Sequence, residues 1–348
     1  MKILISYEHF PNCTTAEEMA EAFGSLAETP LLIKNKPQGP GSVDWDIAAW
    51  YFNQNRQFDL FVYIESGLSS YFPRGIERLP VPTACYLTDP HIDLDRRLFA
   101  AKFFDMTFLA QKDYLKFFQE QGSWTQWLPV AFNPNLINPD PGPKIYDIGF
   151  VGSTQPRYRR RNLLLKTLAN RFKINDFSKT CDIRETIKIY QQSRIVFNCS
   201  VSGDLTLRVF EALGSGSLLV TDASANGLLD LFTDKTHLLT YVGEEDLLKI
   251  ADYFISHEQE REKIAIIGAR EAHAKHTYIC RAKAVLASLD TIRRDGTKAQ
   301  ARQASSEKLR RWRSEIYAGM GSATALFRQS PEGLAVLSRR LKSKLTSQ

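Results

Sequence analysis

One segment of the chain, residues 195–222, places polar residues and two glycines between two continuous apolar runs. The runs at 195–197 and 217–221 are rich in β-branched and aromatic residues, which is typical of strands buried on both faces of a parallel sheet. Residues 205–213 between them predict one short helix. Open parallel sheets bind ligands beyond the carboxyl ends of their strands, where this helix begins. The segment therefore predicts a ligand-binding edge, and its candidate residues are Asn198, Asp204, Arg208 and Glu211.

The spacing of Arg208 and Glu211 supports this prediction, because residues three apart share one face of a helix. A guanidinium can neutralise phosphate, and a carboxylate can accept two hydrogen bonds from a ribose diol. Gly214 and Gly216 then allow a sharp turn and a close approach of the backbone to a ligand. The alternative is an Arg–Glu pair on the surface beside an ordinary helix C-cap. The motif alone leaves both interpretations open.

The length of 348 residues predicts two domains of about 150 residues each. Apolar runs alternate with helical stretches in both halves, which indicates βα units and parallel sheets. The segment 133–144 contains four prolines and no apolar periodicity, so it reads as a linker. We expect an N-terminal Rossmann-like domain at 1–135, a C-terminal one at 136–290, and a basic tail at 291–348 that is helical or disordered and packs back on the first domain.

Composition excludes several classes of protein. The chain is 43% hydrophobic and 24% charged, with no apolar run near the ~20 residues that cross a bilayer. Residues 1–7 enter a strand directly, without the features of a signal peptide, and the five cysteines are scattered singly. These observations predict a cytoplasmic protein without a disulfide framework, in which Cys85 and Cys199 are small buried groups.

The net charge of +6 is concentrated in the tail. Residues 291–348 carry 13 Lys and Arg against 4 Asp and Glu, a net charge of +9, which leaves the rest of the chain at −3. A nucleic-acid surface on the folded body would need clustered cations there, so we expect no nucleic-acid partner. The tail, with candidate helices at 309–317 and 334–345, is either a solvated segment or a peripheral contact for anionic lipid.

A second candidate site follows the predicted strand 146–151. Gly152 and Ser153 precede a helix start, where backbone N–H groups and the helix dipole favour an anion. Basic residues at a helix N-terminus oppose the dipole, and a bound diphosphate would explain their presence. A solvated helix start is the alternative. The basic residues are Arg157, Arg159, Arg160 and Arg161.

In the first half, Asp89 and His91 follow a predicted strand that ends at Leu87. Proline between them favours an extended turn. Asp89 is a candidate general base toward an acceptor hydroxyl, and His91 a candidate donor to a developing charge or a sugar hydroxyl. The alternative is an Asx turn with a helix cap, for which Asp93 is equally well placed. His9 and Glu65 are weaker candidates of the same kind.

Several fragments resemble the CgeB-like branch of the group 1 glycosyl transferases, over about residues 1–290. In the second half these are YDIGFVGS at 146–153, RIVFN at 194–198, RVFEAL at 208–213, LFTD at 231–234 and HTY at 276–278; in the first half, LTDPH at 87–91, AQK at 110–112 and WLP at 127–129. The resemblance implies an α/β fold of the GT-B type, with two Rossmann-like domains facing each other across a cleft. It also implies that a nucleoside diphosphate sugar binds mainly to the second domain.

The resemblance also implies roles for single residues. Enzymes of this group carry two glutamates eight positions apart, and Glu211 matches the second, which binds the nucleotide ribose. Gly203 stands at the first position, with Asp204 beside it. This departure leaves the residue that holds the donor sugar open. His237 and His276 also match the family, but a lone histidine between apolar residues is usually structural.

The residues and the resemblance together predict a metal-independent glycosyltransferase that uses no cofactor and takes a nucleoside diphosphate sugar, most simply a UDP-sugar, as donor; the resemblance implies that it is a retaining enzyme. Its acceptor is a glycan, a protein or a small molecule. No Asp-x-Asp element of the metal-dependent type is present, so arginines and a helix dipole would stabilise the departing diphosphate. The predicted nucleotide-sugar residues are Gly152, Ser153, Arg157, Arg159, Arg160, Asn198, Asp204, Arg208, Glu211 and Gly214.

Two other functions remain. A non-catalytic glycosyltransferase-like module, recruiting a partner through the basic tail, would bind a nucleotide without turnover, and the departure at Gly203 favours it. A Rossmann dehydrogenase or methyltransferase is disfavoured, because neither half has a GxGxxG turn after its first strand.

Overall fold

The computed structural model describes residues 1–8, 15–26, 32–35, 46–53, 57–65, 71–223 and 226–320. His9 and the candidate helix 334–345 lie outside these residues. The chain divides into two units. The N-terminal unit comprises Met1–Pro129 together with Ala282–Gln348, and the C-terminal unit comprises Val130–Arg281.

Among the described residues, the N-terminal unit contains a parallel sheet of six strands. In chain order they are β1 (Ile3–Tyr7), β2 (Leu32–Asn35), β3 (Leu60–Glu65), β4 (Thr83–Leu87), β5 (Met106–Leu109) and β6 (Thr125–Trp127). They lie in the order β2-β1-β3-β4-β5-β6. The helices of this part are α1 (Thr15–Leu26), α2 (Ile47–Asn53), α3 (Leu94–Ala101) and α4 (Leu115–Glu120).

The C-terminal unit contains a second parallel sheet of four strands, β7 (Tyr146–Gly149), β8 (Ser193–Asn198), β9 (Leu218–Asp222) and β10 (Leu239–Tyr241), in the order β10-β9-β8-β7. Its helices are α5 (Arg159–Ala169), α6 (Ile183–Gln191), α7 (Leu207–Gly214), α8 (Leu228–Leu231), α9 (Gly243–Ser256) and α10 (Glu258–Lys275). Helix α11 (Tyr278–Asp295) leads into α12 (Ser306–Gly319), which belongs to the N-terminal unit.

The predicted βα alternation is confirmed in both units. The apolar runs of β3, β4, β8 and β9 are buried along their whole length apart from Arg194, as expected for strands covered on both faces. Between β7 and β8, Ile174 forms an isolated bridge with Ile148. Cys85 and Cys199 are fully buried, as predicted.

Helix α12 packs against α3, and its residues Ile316 and Tyr317 join a core rich in aromatic side chains. In this core, Tyr63 stacks on Phe104 with ring centroids 5.9 Å apart. Because the helix adds to this core, the residues that follow α11 are part of the folded N-terminal unit up to residue 320.

A buried carboxylate ties the chain before α12 to the sheet. Asp105, 1% exposed, accepts hydrogen bonds from the backbone N–H groups of Thr83 at 2.9 Å and Ala299 at 2.8 Å. Arg302 donates to both of its oxygens, from Nε at 2.9 Å and from Nη2 at 2.7 Å, and also to the carbonyls of Leu79 and Val81. A bidentate pair of this kind fixes both distance and orientation.

We expect the substitution Arg302→Ala to lower the free energy of unfolding of the N-terminal unit by about 3 kcal/mol, because it leaves the buried Asp105 charge without its counterion. All five tryptophans of the sequence lie in this unit, so urea denaturation followed by tryptophan fluorescence reports on it alone. The matched control is Arg311→Ala on the exposed face of α12, for which we expect a change below about 0.5 kcal/mol. Equal effects of the two substitutions would contradict this role of Asp105.

Candidate functional site

The carboxyl ends of the four C-terminal strands lie at one edge of their sheet. Parallel pairing aligns Gly149 with Val196, Asn198 with Thr221, and Tyr241 with Asp222. The chain after β7, the chain after β8 and the start of α7 therefore meet at this edge. This is the place where open α/β sheets bind their ligands.

Arg208 holds these segments together. Its Nε and Nη2 donate to the carbonyl of Val151 at 3.0 and 2.7 Å, and its Nη1 donates to Oδ1 of Asn198 at 2.6 Å. The guanidinium also lies 4.3 Å from the ring centroid of Phe150, a cation–π distance. The sequence predicts that Arg208 contacts a diphosphate. In the structure Arg208 is only 8% exposed, and most of its side chain is bonded to the protein.

Asn198 is a buried partner of Arg208. Its Nδ2 donates to Oγ1 of Thr221 at 2.8 Å, and its Oδ1 accepts from both Arg208 and Thr206. The side chain is 1% exposed. The structure thus places Asn198 at the predicted edge, beneath the surface, where it orients Arg208.

Glu211 lies one turn after Arg208 and is also buried. The alternative of a surface Arg–Glu pair is wrong, because both side chains are buried. Among the described residues, no hydrogen bond reaches the Glu211 carboxylate. Burial raises the pKa of Glu211 to about 7, against the opposing effect of the Arg208 charge. A buried carboxyl group that titrates near neutrality and lacks a partner is typical of a functional site.

Two of the predicted glycines are required by close packing. A Cβ on Gly152 would clash with the guanidinium of Arg208, and a Cβ on Gly214 would clash with the ring of Phe132. Gly152 is exposed, so its backbone remains accessible to a ligand. Gly214 serves the packing of α7, and its carbonyl accepts a hydrogen bond from Nε2 of His273 at 3.0 Å.

The arginines at the start of α5 fall into two groups. Arg161 is buried and donates to the carbonyl of Cys199 from two nitrogens and to the carbonyl of Ser153. It therefore connects the turn after β7 to the end of β8. Arg157, Arg159 and Arg160 are exposed, as is Ser153. Three of the four arginines thus face solvent beside a helix N-terminus.

Asp222 is a site residue that the sequence reasoning missed. It is the last residue of β9 and accepts hydrogen bonds from the backbone N–H and the hydroxyl of Ser200, both at 2.9 Å, and from Nη1 of Arg160 at 3.0 Å. The available signal was a carboxylate directly after a buried apolar run, the pattern that drew attention to Glu65.

The loop between β8 and α7 contains the departure from the family pattern. Gly203 has a φ of +71°, a left-handed conformation that favours glycine, and its carbonyl accepts from the Asn226 amide at 2.8 Å. Asp204 accepts from the backbone N–H groups of Val201 at 3.3 Å and Ser202 at 3.1 Å. Asp204 therefore stabilises the loop that contains it.

His276 has a structural environment, as predicted. It is 4% exposed, with its ring 4.6 Å from that of Phe232 and 5.7 Å from that of Phe210. Burial, followed by the nearby Arg281 charge, lowers the pKa of His276 to about 4, so the ring is neutral at pH 7. Nδ1 of His237 accepts a hydrogen bond from the backbone of Thr233 at 2.9 Å.

Asp89 and His91 belong to the N-terminal unit, and the other predicted site residues belong to the C-terminal unit. Asp89 accepts from the hydroxyl of Thr88 at 3.2 Å, and its backbone carbonyl accepts from the N–H of Ile92 in a turn. Nδ1 of His91 is buried and makes no hydrogen bond to a described residue. Asp93 caps α3, as predicted.

Glu65, the weaker candidate at the end of β3, is occupied by an ion cluster. Its carboxylate accepts from Nη2 of Arg96 at 2.6 Å and from Nε and Nη2 of Arg97 at 2.9 and 3.0 Å. All three side chains are buried. This cluster attaches α3 to the sheet behind the turn that contains Asp89 and His91.

Within the described part of the chain, no group of three or more His, Cys, Asp or Glu is arranged to hold a metal ion. None of the helices described is both long enough and apolar enough for a membrane span.

Comparison with known proteins agrees with this geometry. Residues 150–287 match the model of a family described as glycosyl transferase-like. No curated protein matches the chain at a significant level. The matched region begins at Phe150, directly after β7, and contains Arg208, Glu211 and Asp222.

Solved structures show that the chain has an α/β fold of the GT-B type with two Rossmann-like units. HepE of Anabaena, solved in complex with UDP and glucose, has a TM-score of 0.60 at 14% identity, covering 84% of this chain and 100% of that one. Sucrose-phosphate synthase of Thermosynechococcus elongatus gives 0.57 at 11% identity, covering 84% and 98%. A glycosyltransferase of Rickettsia africae gives 0.58 at 12% identity, also covering 84% and 98%.

We expect Glu211→Gln to stabilise the C-terminal unit at alkaline pH. The folded-state pKa of about 7 lies above the ordinary value of 4.5, so wild-type stability falls as the pH rises between these values. The amide does not ionise, and its advantage should approach about 3 kcal/mol near pH 8 and vanish near pH 4.

Differential scanning calorimetry at several pH values measures this difference. The control is Glu245→Gln, which alters a carboxylate with an 84% exposed side chain and should leave stability nearly unchanged at every pH. A Glu211→Gln protein that is less stable than wild type at pH 8 would show that the carboxylate has a structural partner.

Proposed function

We propose that the chain is a glycosyltransferase that transfers a sugar from a nucleoside diphosphate sugar, most simply a UDP-sugar, to an acceptor hydroxyl. The observation that carries this proposal is Glu211, a buried carboxylate without a hydrogen bond among the described residues, at the ligand-binding edge of a Rossmann-like unit. A ribose diol would donate two hydrogen bonds to it and so offset the cost of its burial.

The start of α5 supplies the second half of the donor site in this proposal. Arg157, Arg159 and Arg160 are exposed beside the N-terminus of an eleven-residue helix, and the accessible backbone of Gly152 and Ser153 precedes it. Cations and helix dipole together favour an anion, which a diphosphate supplies. The neighbouring HepE structures contain UDP and UDP-glucose, which supports the choice of nucleotide.

We assign activation of the acceptor to residues of the N-terminal unit, and stabilisation of the leaving group to the arginines. Asp89 would take the proton of the acceptor hydroxyl, and His91, whose buried Nδ1 lacks a partner among the described residues, would bind a sugar hydroxyl. Positive charge at α5 would stabilise the departing diphosphate without a divalent ion. We propose retention of configuration at the transferred sugar: the acceptor oxygen bonds to the anomeric carbon from the face that the diphosphate leaves, as the bond to the diphosphate breaks and the acceptor proton passes to Asp89.

The free thiols of Cys85, Cys181, Cys199 and Cys280 support our proposal that the chain acts in the cytoplasm.

The non-catalytic module remains the second candidate, because one observation favours it. The carboxylate of Asp204, next to the missing first glutamate, is used to hold backbone N–H groups of its own loop. A protein of this kind would bind the nucleotide and leave the sugar in place. Turnover measurements separate the two functions.

We expect the affinity for UDP-glucose to increase between about pH 6 and pH 8, because only ionised Glu211 accepts both ribose hydrogen bonds and its pKa is about 7. Isothermal titration calorimetry measures the dissociation constant, and UDP-glucose keeps a constant diphosphate charge over this range. Glu211→Gln should weaken binding at pH 8 by about tenfold and remove the pH dependence. A pH dependence that persists in this variant would assign it to another group.

We also expect the wild-type protein to consume at least one nucleotide-sugar from a panel of UDP-, GDP- and ADP-linked hexoses, with unchanged rates in the presence of EDTA. Released nucleoside diphosphate is the readout. Asp89→Asn should lower turnover by at least about a hundredfold and leave donor binding intact, since general-base catalysis contributes about this factor. Donor binding without turnover in wild type would favour the non-catalytic module, and loss of turnover with EDTA would overturn metal independence.

A further inference from the structure

Asp222 holds the exposed Arg160 in one orientation. One oxygen of the carboxylate accepts from the backbone N–H of Ser200, and the other accepts from its hydroxyl and from Nη1 of Arg160. The Asp222 side chain is 9% exposed, whereas that of Arg160 is 55% exposed. The buried Asp222 carboxylate thus fixes one nitrogen of the Arg160 guanidinium, although more than half of the Arg160 side chain is exposed.

The remaining surroundings of Arg160 restrict it further. Nη1 also lies 3.7 Å from Sγ of Cys199, and the guanidinium lies 5.9 Å from the ring centroid of Tyr241. Nε and Nη2 make no hydrogen bond to a described residue. These two nitrogens therefore remain available as donors to a ligand at the carboxyl edge of the sheet.

Stability is a weak explanation for this arrangement, because an ion pair with an exposed partner contributes little to folding. Arg160 is also the second residue of α5, where a cation opposes the helix dipole. The ion pair with Asp222 and the position of Arg160 in the first turn of α5 would both be favourable if an anion were bound between the guanidinium and the helix N-terminus. Orienting the side chain before binding reduces the entropy that binding would otherwise cost.

We infer that Asp222 is a positioning residue that fixes Arg160 for contact with the diphosphate of the donor. This inference rests on the proposed function and adds to it a residue outside the predicted site. Asp222 acts through Arg160 and does not touch the ligand itself.

A double-mutant cycle tests this directly, with dissociation constants measured by calorimetry for UDP and for uridine, which lacks the diphosphate. Asp222→Asn should weaken UDP binding by about tenfold, the effect of one charge-assisted contact, and leave uridine binding unchanged. Arg160→Ala should do the same. In the Arg160→Ala background, Asp222→Asn should have no further effect, because the residue through which Asp222 acts is absent.

The matched control is Asp147→Asn, which removes the carboxylate of another Asp–Arg pair in the same unit, at the amino end of β7. It should leave both affinities unchanged. Additive effects of Asp222→Asn and Arg160→Ala, or equal losses for uridine and UDP, would show that Asp222 only supports the loop after β8. A wild-type protein that binds UDP no better than uridine would overturn the proposed function, and this inference with it.

Discussion

The site depends on the hydrogen bonds of the Arg208 guanidinium. By donating to Val151 and Asn198, it fixes the chain after β7 and the end of β8 relative to α7, and Asn198 extends the connection to Thr221 in β9. Gly152 must lack a side chain because the guanidinium occupies that space. The same helix then carries Glu211 into the buried layer one turn later. Arg208 thus determines where Glu211, a carboxylate without a hydrogen bond to any described residue, lies, although most of the donors of Arg208 are used within the protein.

The partners of the two buried arginines give the edge its electrostatic character. Arg161 and Arg208 donate mainly to backbone carbonyls and to a neutral amide, so their hydrogen bonds are satisfied and their charges are not cancelled by a carboxylate. The Arg208 charge is one of the causes that lower the pKa of Arg161, second to burial. Exposed arginines at the start of α5 add further positive charge. Such an edge favours a multiply charged anion over a neutral sugar, because oriented dipoles and cations act together there.

Much of this arrangement could be predicted from the sequence, because it follows from local pattern. The period of apolar residues predicts the strands, and the positions after β7 and β8 predict the edge. Which of the arginines at the start of α5 is buried could not be predicted. Four arginines lie within residues 157–161, and only tertiary packing decides that Arg161 is the buried one. The contact between Arg302 and Asp105 spans 197 residues and leaves no local signal. Asp222 carried a local signal, as a carboxylate at the end of a buried apolar run, but its partners could not be predicted, because they lie at the start of α5 and in the loop after β8.

A comparison of two buried carboxylates, Glu65 at the end of β3 and Glu211 in α7, shows why Glu211 is the better functional candidate. Both are buried near the carboxyl edge of a parallel sheet, which is as much as the sequence pattern reveals. Glu65 accepts hydrogen bonds from two guanidiniums, so its charge and its lone pairs are already satisfied and a ligand would gain little from it. Glu211 has no such partner among the described residues, and the chain bears the cost of its burial. A ligand that donates hydrogen bonds to Glu211 would offset the cost of its burial and so gain binding energy. The Glu65 carboxylate offers no such gain, because its hydrogen bonds are already formed.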